Sequence, residues 1–359
     1  MRAELKALTG VRAIAAATVV LYHLIGQYPA ITEDTWPQHV LRFGSNGVDL
    51  FFMLSGFIIG YSYHHVFADT RAHAQTYLDF LRKRLARLLP AHLFALTLML
   101  LLGALLTIQG TPFLKTNPPG EFLAQLLLVM DWDPRHEARL SWNVPAWSIS
   151  SEWLAYLLFP GVLYALSRVP RGALPTVFLG LPVLMACSYA LGPANYGMIR
   201  ILTEFPAGVA LYLYWRGLTP AQTRVWTNIG TVCAVLYLPA GVLLGLAHLN
   251  VRWAVTLVPA LLLALACGQG TLPHLLARPV PEYLGRVSYS LYITHYVVLA
   301  ALRFTFFTAV ARNSVLVTVG LTVIELLVIA GVAQFTYRYV EEPGRRWLTR
   351  RSARVTAAA

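Results

Sequence analysis

The sequence predicts an all-α polytopic membrane protein with about ten transmembrane helices and both termini cytoplasmic, on three observations. Of its 359 residues 57% are hydrophobic and only 12% charged, with a mean hydropathy of +0.59, which lies outside the usual range of soluble domains. The apolar residues gather into runs of about 17 or more, long enough to cross a bilayer as helices. The basic residues between those runs are abundant on alternate sides, as the positive-inside rule requires. Residues 1–340 are expected to form a transmembrane domain and 341–359 a basic cytoplasmic tail.

The net charge of +12 does not point to nucleic acid, because the cations fall in short clusters between apolar spans. Cys187, Cys233 and Cys267 all sit in apolar runs without metal-ligand spacing, so they read as small core residues. Neither a metal nor a disulfide framework is implied. The basic start before an apolar run resembles a secretory signal, but no small-residue cleavage site follows and Arg12 interrupts the apolar region. It is read as the first retained helix.

Spans are expected near 9–27, 46–66, 89–110, 147–167, 174–192, 199–215, 226–247, 252–268, 288–310 and 314–338. With that order most of the 28 Lys and Arg residues lie on the cytoplasmic side. The piece 121–130, EFLAQLLLVM, is too short to cross and is expected to lie at the interface or re-enter. If it crossed, every later loop would invert and the basic clusters would no longer share a side.

The first span, LTGVRAIAAATVVLYH, holds Arg12 and His23. Eleven residues at 100° each bring the two side chains to within about 20° on one helix face, roughly 16 Å apart along the axis. An ionisable pair on one stripe of a membrane helix reads as functional, because lipid alone would not tolerate it. The bland alternative has Arg12 snorkelling to the headgroups and His23 bonded to a backbone carbonyl. The second span, GVDLFFMLSGFIIGYSYHH, opens with Asp49 and contains Gly56 and Gly60, which suit close helix packing.

In DFLRKRLARLLP, Leu81, Leu85 and Leu88 recur at helical spacing while Arg82, Lys83, Arg84 and Arg87 crowd the remaining surface. This stretch is expected to lie along the cytoplasmic interface, with Pro90 shaping entry to the third span. Anionic lipid would attract it; a polyphosphate gripped by Arg84 and Arg87, one turn apart, is the functional reading. The fourth span is preceded by SWNVPAWSISSEWLAY, where Trp142, Trp147 and Trp153 are placed as interface anchors. Ser148, Ser150, Ser151 and Glu152 follow inside the apolar register. No GxSxG elbow supports a serine nucleophile, and Glu152 reads as an orienting partner for a histidine or as a structural carboxylate. Glu204, Glu325 and His295 lie within later spans and read first as satisfied helix contacts. Arg345 and Arg346 return to the face of Arg82–Arg87.

Taken together, LTGVRAIAAATVVLYH, GVDLFFMLSGFII, RKRLARLLP, WSISSEW, GRVSYSLYITHY and the terminal YRYVEEPGRR resemble the acyltransferase-3 family of bacterial integral-membrane acyltransferases of the O-acetylase type. The resemblance covers most of the chain. Where the family often reads WSLSxEEQFY, Trp153 replaces the second acidic residue, leaving Glu152 as the counterpart. Some relatives append an SGNH-hydrolase-type domain, and none is expected here.

The resemblance implies transfer of an acyl group, usually acetyl, from cytoplasmic acyl-CoA to a hydroxyl of a cell-surface glycan or exopolysaccharide, or its lipid-linked precursor, in the bacterial inner membrane. The catalytic set expected is His23 as general base with Glu152 and Asp49 as carboxylates beside it. Arg12, Arg82, Arg84 and Arg87 are expected on the acyl-CoA phosphates, and Trp147, Ser151 and His295 on the acceptor side. No cofactor is expected to be held permanently; acyl-CoA is a donor substrate, and membrane lipids are the other partner. Acylation of a small secondary metabolite such as a macrolide is the alternative within the family. A secondary transporter is the non-enzyme alternative, but the related halves that transporters often carry are not visible.

Overall fold

The computed structural model describes residues 5–25, 42–67, 74–132, 141–189, 196–302 and 315–358. The ends of several expected spans, at 26–27, 190–192, 303–310 and 314, lie outside the described residues. The described residues are 89% helical, with no strand among them. In chain order the α-helices are α1 (Lys6–Ile25), α2 (Gly47–Phe67), α3 (Ala74–Ile108), α4 (Phe113–Thr116), α5 (Pro119–Leu126), α6 (Trp147–Ser167) and α7 (Leu174–Ser188). They continue as α8 (Tyr196–Trp215), α9 (Pro220–Leu246), α10 (Val258–Cys267), α11 (Thr271–Leu276), α12 (Pro279–Leu302), α13 (Val315–Thr336) and α14 (Glu342–Ala358).

Among the described residues, seven stretches are long and apolar enough to cross a membrane: Lys6–Leu24, Gly44–Phe67, Ala74–Ile108, Val144–Ser167, Arg171–Ser188, Pro220–Leu246 and Val319–Arg350. The expected spans at 199–215, 252–268 and 288–310 fall on α8, the shorter stretch Val251–Cys267 and α12. Arg200 and Glu204 dilute α8, and serines and tyrosines dilute α12. Large apolar side chains stand exposed along the helices, Leu101 at 61% and Ile108 at 84% on α3 and Val235 at 69% on α9. Lipid is the solvent that such a surface requires.

The helices group into two compact units, one from residues 5–25, 42–67, 158–189 and 196–286, the other from 74–132, 141–157, 287–302 and 315–358. In the first unit, glycines let backbones meet. A Cβ on Gly56 would stand 2.0 Å from the Phe205 carbonyl oxygen, and one on Gly208 1.9 Å from that of Met53, so α2 and α8 cross with no room for a side chain. Gly60 likewise abuts the Tyr212 ring, which accounts for both glycines singled out in the second span. Gly47 sits against Ala15 and Gly44 against Thr18, pairing α1 with the start of α2.

The second unit corrects one expectation. No helix boundary falls at Pro90: α3 is a single helix of 35 residues that carries the basic cluster and the span together. Proline removes only the bond to the Ala86 carbonyl; Leu88, Ala91 and Ala95 around it are buried, and Gly344 of α14 packs on its ring. That packing offsets the lost bond.

The same unit decides between interfacial and re-entrant for the short apolar piece. Phe113 meets α3 at Gly103, whereas the Gln125 carbonyl accepts from His92 Nε2 at 3.0 Å. Those two levels of α3 differ by eleven residues, about 16 Å of helix rise. The chain from α4 through α5 therefore runs back along α3 toward the membrane interior. It ends against α6, where Asp131 N donates to Ser150 Oγ and Trp132 Nε1 to Ser150 O. Trp142 belongs to this packing and is not an interface anchor. It is 3% exposed, its ring meets Phe113 and Phe122 edge-on, and its Nε1 donates to Pro118 O at 3.0 Å.

Candidate active site

In the first unit, Arg12 and His23 lie on the one continuous helix α1. His23 Nδ1 stands 3.0 Å from Val19 O. A carbonyl only accepts, so Nδ1 carries the hydrogen and Nε2 is the basic nitrogen of the neutral ring. The ring also meets Tyr22 edge-on, 5.0 Å between centroids, and the Arg12 guanidinium lies 5.9 Å from the centre of the Phe51 ring on α2.

Asp49 sits elsewhere in that unit, at the centre of a buried ionic cluster. Arg200 grips it side-on, Nε to Oδ1 at 2.8 Å and Nη2 to Oδ2 at 2.9 Å. Arg252 Nη1 adds a bond to Oδ2 at 2.6 Å and another to Asn46 Oδ1 at 2.8 Å. Glu204, one helical turn beyond Arg200 and wholly buried, adjoins Asp49. Two guanidiniums and two carboxyl groups thus face one another, with Tyr189 beside Arg252 at 5.4 Å. Asp49 is therefore bound to two arginines, whereas the sequence led us to expect it beside a histidine. An unpaired carboxylate at that depth is too costly to leave bare.

The four expected phosphate contacts part company. Arg82 is exposed and reaches Asp79 at 3.4 Å. Arg84 is half-buried over two rings, 5.9 Å from Phe80 and 6.0 Å from Tyr156. Arg87 is ion-paired with Glu341, a carboxylate with no exposed surface that also accepts from Ser290 Oγ at 2.5 Å. Its guanidinium lies 5.2 Å from the Tyr289 ring.

At the start of α6, also in the second unit, the side chains point into protein. Ser151 Oγ donates to the Asp131 carboxylate, a residue that the sequence reading passed over. Ser148 Oγ bonds Tyr292 Oη at 2.7 Å, and Trp147 O accepts from Ser151 at 3.2 Å. Glu152 accepts from Tyr156 Oη at 2.6 Å, and Tyr156 is the ring beneath Arg84. His295, fully buried on α12, has Nδ1 2.7 Å from Tyr292 O, so its Nε2 is again the basic nitrogen.

Sequence reading missed Asp131, Arg200, Arg252 and Glu341. Arg200 could have been found, because a cation four residues before Glu204 inside an apolar run is the same anomaly as Arg12. Asp131 and Arg252 follow apolar runs and look solvated there. Among the described residues no group of three or more His, Cys, Asp or Glu is placed to hold a metal ion, and the three cysteines are unbridged.

Comparison with known proteins fits these features. Acyltransferase MdmB of Streptomyces mycarofaciens is 29% identical over 82% of this chain and 79% of its own length. O-acetyltransferase OatA of Staphylococcus aureus is 24% identical over 95% of this chain, but the match spans only 57% of OatA. No solved structure matches. The family profile described as "Acyltransferase domain" (Acyl_transf_3) matches residues 5–333, and with nearly the whole chain so covered, this protein belongs to that acyltransferase family.

Proposed function

We propose that this chain is an O-acyltransferase of the bacterial inner membrane. It moves an acyl group, most simply acetyl, from cytoplasmic acyl-CoA to a hydroxyl of a cell-surface or exopolysaccharide glycan or its lipid-linked precursor. The observation that carries the proposal is His23: within the helix the family profile covers, its Nδ1 hydrogen is directed at Val19 O, so Nε2 is the basic nitrogen of the neutral ring, the tautomer a general base needs. The acceptor oxygen bonds to the thioester carbonyl carbon as its proton passes to Nε2. The carbon–sulfur bond then breaks and the proton goes on to the coenzyme A thiolate. No covalent enzyme intermediate is required. Arg84, with Arg12 and the exposed Arg82, is assigned to the donor phosphates; Glu152, through Tyr156, is assigned to hold the Arg84 region in place. Trp147, Ser151 and His295 are assigned to the acceptor side.

The test is transfer of labelled acetyl from acetyl-CoA to envelope glycans by the purified protein in lipid. His23→Ala should lower turnover roughly 10²–10⁴-fold while leaving a folded, inserted protein. Near wild-type turnover in that variant would remove His23 from the mechanism. The second reading is O-acylation of a small metabolite such as a macrolide. Transfer to macrolides and not to glycans would select it.

A further inference from the structure

The roles proposed above leave a group of buried polar atoms in the second unit without a task. His92 and Asn143 have no exposed surface, Gln125 is 1% exposed and Ser141 4%. Hydrogen bonds join three of them: His92 Nε2–H donates to Gln125 O, and Gln125 Nε2 donates to Ser141 O at 2.6 Å. Asn143 Nδ2 donates to Ile293 O at 2.9 Å. Each amide or ring thus commits its donor to a backbone carbonyl and turns its acceptor the other way. His92 Nδ1, Gln125 Oε1, Asn143 Oδ1 and Ser141 Oγ have no partner in the protein. Buried polar atoms are ordinarily satisfied, so four orphans in one neighbourhood call for an occupant.

The backbone around them is unusual in the same direction. Leu128 (φ 59°) and Trp142 (φ 51°) hold left-handed conformations that only glycine adopts easily, and both are 3% exposed. Leu128 follows α5 and Trp142 stands between Ser141 and Asn143. Non-helical backbone at membrane depth persists where it is buried in protein or lines a polar cavity. An anion would meet three lone pairs here, whereas a ligand rich in O–H donors would satisfy all of them.

We propose that the re-entrant segment, His92 and the Ser141–Asn143 turn form a subsite that takes hydroxyl groups of a polyhydroxylated acceptor. The ligand donates to His92 Nδ1, Gln125 Oε1 and Asn143 Oδ1 and exchanges a hydrogen bond with Ser141 Oγ. This rests on the reading of the chain as an O-acyltransferase with a hydroxylated acceptor. The residues position the acceptor; no bond is made or broken at them. Water offers the same O–H chemistry and is the competing occupant.

The experiment has two arms, both with the full-length protein in lipid nanodiscs. In the first, acetyl transfer from acetyl-CoA to extracted envelope glycans is measured for wild type, His92→Phe and Asn143→Leu. The acceptor KM should rise at least about tenfold in both, with the acetyl-CoA KM within about twofold of wild type, a split that general loss of structure would not produce. In the second, the wild-type structure is determined with and without saturating methyl α-D-glucopyranoside. Sugar hydroxyls against His92 Nδ1 and Gln125 Oε1 support the subsite. Ordered water in both states, or an unchanged acceptor KM in both variants, overturns it. If wild type transfers no acetyl at all, the acyltransferase reading fails, and the second arm alone still decides the subsite, sugar for it and water against it.

Discussion

Arg87 and Arg84 are neighbours in one basic cluster, and the buried carboxylate that Arg87 pairs with makes its removal a test of stability. Arg87→Ala leaves Glu341, with no exposed surface, supported by the Ser290 hydroxyl and without its cation. Breaking a buried pair by deleting one partner costs about 3–5 kcal/mol, because the remaining charge is stranded. Arg84→Ala removes a guanidinium stacked near two rings, at about 0.5–2 kcal/mol, and should chiefly weaken coenzyme A binding by the 1.5–3 kcal/mol or so of a charge-assisted contact. The decisive variant is the double, Arg87→Met with Glu341→Leu, since replacing both members of a buried pair by apolar groups is often neutral. Denaturation in mild detergent, read as a double-mutant cycle, should show Arg87→Ala strongly destabilised and most of the loss recovered in the double variant. Calorimetric titration with coenzyme A supplies the binding half. If Arg87→Ala were as stable as wild type, or the double no better than the single, the claim that Arg87 serves Glu341 would be refuted. Coenzyme A affinity unchanged in Arg84→Ala would return that residue to a packing role.

Asp49→Asn should cost about 3–5 kcal/mol of stability, since Arg200 and Arg252 both lose their counter-charge; a variant that melts with wild type in detergent would show that the cluster is not ionised as drawn. Gly208→Ala places a methyl 1.9 Å from Met53 O and should destabilise by about 1–3 kcal/mol, whereas Gly331→Ala, with nothing within 4 Å, should not. Equal melting of the two would contradict the α2–α8 crossing. Sidedness is read on α9, a helix of 27 residues and about 40 Å. A cysteine at Leu249, 58% exposed just beyond its end, should react with an impermeant reagent outside intact cells and one at Gln222 should not. External labelling of Gln222 would invert the topology.

Much of this protein is decided by patterns that are local in the chain. Apolar runs longer than a bilayer, cations between them, and a helical repeat through Leu81, Leu85 and Leu88 are each legible within about twenty residues, so the all-α membrane class and the ordered motifs of the family could be read directly. The same locality placed Arg12 and His23 on one helix and found the small residues Gly56 and Gly60. What local pattern cannot supply is the partner. Asp49 meets Arg200 151 residues later, and Arg87 meets Glu341 254 residues later. A charge beside an apolar run looks alike whether it faces lipid headgroups, a substrate or a distant counter-ion, because burial is a property of packing. Only the tertiary structure therefore separated Arg84 from Arg87, bound Asp49 to two arginines, took Trp142 out of the interface and turned the piece after α4 back along α3. In each case the deciding quantity is the cost of desolvating a polar group, which is set by whatever lies against it in space.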